Sequence, residues 1–135
     1  MFTKKELLKW YDNEYCLKAV KQNGEALKHV IQQTEEICLE AVKQNGFALQ
    51  NVVNQTEAIC IAAIIQNWKA LQYVYTQTNK ICLAATEQDS RALQYIKNQT
   101  KEICLAALVK NQDSIEYIDI QKYPEIYEKY VFMIK

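Results

Sequence analysis

Glycine and proline are nearly missing, since 135 residues hold two Gly and one Pro. An all-β sandwich or barrel, with a turn every dozen residues or fewer, has too few punctuators here. A dominant charge is missing too: sixteen Lys and Arg face sixteen Asp and Glu. That balance argues against a polyanion-binding surface as the main design. No apolar run approaches the ~18 residues that span a bilayer, and residues 1–15 are too polar for a secretory leader. One His and two Ser leave no plausible nucleophile–base pair. With no C-x-x-C and only His29, zinc ligands have no usual spacing. Asn23-Gly24 and Asn45-Gly46 are lone pairs rather than a phosphate loop. The expectation is a soluble, non-enzymatic intracellular protein with no cofactor and no metal.

What is present is a repeat. Cysteines fall at 16, 38, 60, 82 and 104, each 22 residues after the last. An Ala follows three residues later (19, 41, 63, 85, 107), and an Asn or Asp stands at unit position 8. Position 12 is aliphatic, and position 18 is Gln (33, 55, 77, 99, 121). A period of this length means stacked supersecondary units.

Each unit reads as two short helices. The first starts after Thr34, Thr56, Thr78 or Thr100, or after Asp12 in unit one, residues that can cap an orphan N–H. Ile37, Cys38, Ala41 and Val42 recur at i, i+1, i+4, i+5, the stripe of a helix buried between two neighbours. The second helix starts at Asn23, Asn45, Asn67, Asp89 or Asn111, and Ala48, Leu49 and Val52 predict an α-helix of eight to ten residues. Elements so short must stack to be stable. Thr3–Glu6 forms a capping box ahead of Leu7, Leu8 and Trp10. Pro124 opens a last helix striped by Ile126, Tyr127, Tyr130, Val131 and Ile134. A leucine-rich repeat is rejected, because its strand would bury Lys18 and Glu40. The fold expected is an all-α solenoid of five 22-residue two-helix repeats in one domain. Residues 1–12 form its N-terminal cap, 13–121 the repeats and 122–135 the C-terminal capping helix.

Three rows are candidate surfaces. The Gln row reads either as a head for peptide or bases or as amides that satisfy helix-end carbonyls. The Tyr row (Tyr73, Tyr95, Tyr117) lies on a flank of the second helix, suited to packing between units or to stacking bases. Positions 3 and 6 of the first helix point outward. They run Lys18/Lys21, Glu40/Lys43, Ala62/Ile65, Ala84/Glu87 and Ala106/Val109, so this face turns apolar from unit three onward. Such a face marks either an interaction site or crowding between tightly curved first helices. Ala62, Ile65, Ala84, Ala106 and Val109, with Phe47, Tyr73 and Tyr95, form the candidate partner surface. A protein partner is expected, or a second copy through repeats three to five. Nucleic acid is the runner-up, and no membrane role is expected. The cysteines read as small buried hydrophobes.

The phrase QTEEICLEAVKQNGFALQNV (33–52), with its relatives across about 12–121, resembles a helical repeat family of unknown function. That family is abundant in Mimivirus-type giant viruses and some amoeba-associated bacteria. Trp68, Ser90 and Gln112 depart from its Gly, and Lys122 departs from its Thr. The resemblance implies a helical repeat with no established catalytic residue. It also implies a viral setting, in host cytoplasm or viral factory, with anti-virophage defence as one role.

Overall fold

The computed structural model describes residues 1–134, with side chains through Tyr130. Among these residues there is no strand. The chain is an all-α helical repeat of the solenoid class. Its α-helices are α1 (Lys4–Lys9), α2 (Asn13–Gln22), α3 (Glu35–Gln44), α4 (Glu57–Gln66), α5 (Asn79–Gln88), α6 (Lys101–Lys110) and α7 (Pro124–Ile134). Each of α2 to α6 is followed by a six-residue 3₁₀ helix: Gly24–His29, Gly46–Asn51, Trp68–Tyr73, Ser90–Tyr95 and Gln112–Tyr117.

The caps are those the sequence predicts. Thr34, Thr56, Thr78 and Thr100 each accept the backbone N–H three residues on, at 3.2–3.3 Å, and Asp12 does the same for Tyr15. In the second element the capping holds but the helix type does not. It is a 3₁₀ helix of six residues, not an α-helix of eight to ten. The Asn45 side chain accepts from Phe47, only two residues on, and bonds such as Ala48 N–H to Asn45 O close three-residue turns. Side chains three apart eclipse in that geometry, so Leu49 and Val52 share one side with Gly46; all three are buried, as is Ala48.

The chain forms two compact units, Met1–Tyr75 and Thr76–Lys135. In the first, α2 packs on α3 and α3 on α4, and their 3₁₀ helices pack in sequence order as well. Its core is Leu27, Ile37, Val42, Leu49, Ile59 and Ile64, all essentially inaccessible. Removing each such side chain from water contributes roughly 1.5–3 kcal/mol. In the second unit α5 packs on α6, and α7 covers the last 3₁₀ helix. The invariant Ala is fully buried at 41, 63, 85 and 107.

Successive repeats of the first unit touch backbone to backbone. A Cβ placed on Gly46 would lie 2.5 Å from the Ala63 carbonyl oxygen, and one on Gly24 would lie 2.4 Å from that of Ala41. Neither glycine has a positive φ. Glycine is required here for proximity, not for a turn.

The end helices are less buried than their patterns imply. The capping box of α1 forms, with Thr3 N–H donating to Glu6 at 2.6 Å and Glu6 N–H to Thr3 at 3.2 Å. Yet Leu7 and Leu8 are exposed, and only Trp10, just past the helix, enters the core. Six residues are too few for both leucines to reach it. In α7, Ile126 is buried and Tyr127 exposed. The Val131 and Ile134 side chains lie outside the described residues.

Candidate functional site

Two of the rows form one ladder. The Gln55 amide donates to Tyr73 O at 2.9 Å and accepts from Tyr75 N–H at 2.9 Å, both in the following repeat. Gln33 does the same with Asn51 O and Val53 N–H, Gln77 with Tyr95 and Lys97, and Gln99 with Tyr117 and Asp119. The amides therefore staple each repeat to its successor rather than present a reading head. Three cysteines join in: Cys38, Cys60 and Cys104 donate weakly to the oxygens of Gln33, Gln55 and Gln99 at 3.6–3.8 Å. No Gln precedes the first repeat, and there the Trp10 carbonyl replaces one. It accepts from Cys16 at 3.4 Å and from Ile31 N–H at 3.2 Å.

All five cysteines are buried free thiols. Burial pushes Cys38 and Cys60 up to about 11 from an ordinary 9.0, helped by the nearby Glu35 and Glu57 carboxylates. It raises Cys16, Cys82 and Cys104 as well. At pH 8 roughly a thousandth of Cys38 is the reactive thiolate. A thiol reagent should therefore titrate almost nothing in native protein and five groups after denaturation. Rapid native reaction of several thiols would contradict this placement. The sign of the linkage follows. Stability is full below the unfolded thiol value and falls as pH rises from about 9 to about 11.

The Tyr row is half-buried at Tyr73, Tyr95 and Tyr117. Phe47 is half-buried too and meets Tyr73 edge to face, with ring centroids 5.8 Å apart. These rings pack along the flank. On the first helices the two outward positions separate. Ala62, Ala84 and Ala106 are half-covered, whereas Ile65 and Val109 stand 62% and 84% exposed. Ile65 lies in the first unit; Ala84, Ala106 and Val109 lie in the second.

Helix faces do not show a further row, at the residue after each 3₁₀ C-cap. In the first unit it reads Ile31, Val53 and Tyr75, with Val53 79% and Tyr75 64% exposed. In the second it reads Lys97 and Asp119. A cleft of about 270 Å³ opens between Ile31 and Val53, lined also by Glu35, Cys38, Asn54 and Ile59. The matching place in the second unit is a hollow of about 210 Å³ beside Lys97, Asp119 and Lys122. The sequence signal was this change from apolar to charged at unit position 16.

Among the described residues no three His, Cys, Asp or Glu side chains gather to hold a metal ion. No helix among them is long and apolar enough to cross a membrane. Residues 12–55 match a domain of unknown function, DUF4116. That span covers repeat one and most of repeat two. No curated protein and no solved structure matches the chain.

Proposed function

We propose that the chain is a non-enzymatic protein-interaction module that presents exposed apolar side chains from its first helices. One observation carries this reading. Ile65 and Val109 are open to solvent at the unit position where earlier repeats place Lys21 and Lys43. The repeat framework tolerates charge there, so an aliphatic side chain has no packing reason to occupy it. Ala106 lies three residues before Val109 on α6, and Ala84 holds the equivalent place on α5. A balanced charge disfavours nucleic acid as the partner, since each phosphate contact needs a cation. The resemblance of the repeats to the giant-virus family supports infected cells as the setting of this activity; anti-virophage defence goes with the nucleic-acid alternative.

Ile65→Lys and Val109→Glu test the reading. Both should melt within ~0.5 kcal/mol of wild type, as surface changes do. Both should also lose partner capture from host-cell extract, or self-association by light scattering. A charge desolvated in an interface core costs several kcal/mol of binding. Unchanged binding in both variants would refute the helix-face surface, and a much lower melt would show that these side chains are core.

A further inference from the structure

We propose that the loop edge of the first unit is a docking groove for an extended peptide carrying aliphatic or aromatic side chains beside Lys or Arg. The inference rests on reading the chain as a protein-binding module, but it uses a surface separate from the helix face.

Ile31, Val53 and Tyr75 occupy one place in three successive repeats. Their backbone N–H groups are held by Trp10 O, Gln33 and Gln55, so the ladder fixes the loops that present them. The second unit builds the same loops with Lys97 and Asp119, whose N–H groups bond to Gln77 and Gln99 in the same way. The loop geometry thus does not call for an apolar residue. The three apolar side chains of the first unit remain unexplained by folding.

The cleft between Ile31 and Val53 holds about 270 Å³. That falls just below the usual ~300–1,000 Å³ of small-molecule sites, and it suits an inserted side chain better than a whole ligand. Two of its polar side chains are already engaged. The Gln33 amide is bonded at both ends, and Thr34 Oγ1 accepts the Ile37 N–H. What the cleft offers an occupant is mainly apolar contact.

Charge selects the occupant. Glu35 lines the cleft, with Glu36 beside it in sequence, and 30–36 and 52–58 contain no Lys, Arg or His. Glu35 accepts a hydrogen bond from the Thr56 hydroxyl at 3.2 Å, and among the described residues no cation pairs with Glu35 or Glu36. A basic partner is complementary to this rim and an acidic one is repelled. Spacing points to an extended chain. Packed helices sit ~8–10 Å apart, and a polyproline II strand advances about 9 Å in three residues. Side chains three apart on such a peptide therefore meet successive repeats.

The test is selection of a random twelve-residue peptide library on phage against the immobilised full chain, followed by anisotropy titration of synthetic winners. Enriched peptides should pair two apolar residues three apart with Lys or Arg. Their affinity should fall at least tenfold on Val53→Lys and on Glu35→Lys, with melts confirming both folds, and several-fold between 50 and 300 mM salt. Ile65→Lys should leave it unchanged, which separates this groove from the helix-face surface. No enrichment over blank beads, enrichment of acidic peptides, or winners indifferent to both groove variants would overturn the proposal. So would a dimer abolished by Val53→Lys, which would show a second copy in the groove.

Discussion

Gln55→Ala should destabilise the protein by about 2–4 kcal/mol, two to three hydrogen bonds of which some leave part-buried groups unsatisfied. The amide bridges Tyr73 O and Tyr75 N–H at 2.9 Å each and reaches Leu49 O at 3.3 Å. Alanine supplies none of these. At roughly 4 °C per kcal/mol, the melt should fall by about 8–16 °C. Gln121→Ala changes the same unit position where the residue is exposed, and it should move the melt by under about 0.5 kcal/mol. Gln55→Glu adds a pH signature. An ionised carboxylate would face two carbonyl oxygens, so folding raises its proton affinity, and the penalty is absent in acid and grows as pH rises. Equal losses at positions 55 and 121 would show that the ladder contributes nothing beyond the residue itself.

Gly46→Ala brings two effects into opposition. Its backbone has a negative φ, so conformational entropy alone predicts a gain of about 0.4–1 kcal/mol for alanine. Sterics predict the reverse. The new Cβ would lie 2.5 Å from Ala63 O and 2.9 Å from Gln66 Oε1, which now accepts the Gly46 N–H at 2.6 Å. Gln66 can swing aside, but the Ala63 carbonyl is fixed by its bond from Asn67 N–H. Repeats two and three must part, at an overpacking cost of about 1–3 kcal/mol plus about 1 kcal/mol for the lost hydrogen bond. A net loss of roughly 2–3 kcal/mol in a urea melt is expected, with amide exchange rising first in α3 and α4. Ser90→Ala keeps a Cβ already present at the equivalent place and should cost far less. A stabilised Gly46→Ala would disprove the close approach.

The first helix of every repeat was legible because its signals are local and redundant. A Thr or Asp cap, a Cys and an Ala about one turn apart, and an Asn or Asp stop all agree. The second element was ambiguous because six residues carry too little periodicity. Ala48, Leu49 and Val52 fit an α stripe, whereas Gly46, Leu49 and Val52 fit a period of three, and all four residues are buried, so burial does not separate the two readings. The extended backbone at Asn45 (φ −148°) favours the shorter cap to Phe47 and sets the tighter turn. The Gln amides were legible as carbonyl partners, but not the repeat they reach or the N–H they accept. The apolar loop row escaped notice for that reason. No helical face contains Ile31, Val53 or Tyr75, and their loops are set by bonds to residues about twenty positions earlier.

The ladder also has a direction. The bonds that cross between repeats, from Gln33, Gln55, Gln77 and Gln99, all run to backbone 18 and 20 residues later, on the successor's loop. Inserting or deleting one whole 22-residue stretch preserves each donor and acceptor in register, whereas an insertion of 21 or 23 misaligns the bonds that cross it. Gene duplication by whole repeats is thereby the neutral path for lengthening such a chain. Because the acceptor at the start is an ordinary peptide carbonyl, Trp10, a new first repeat needs no special partner to join the array.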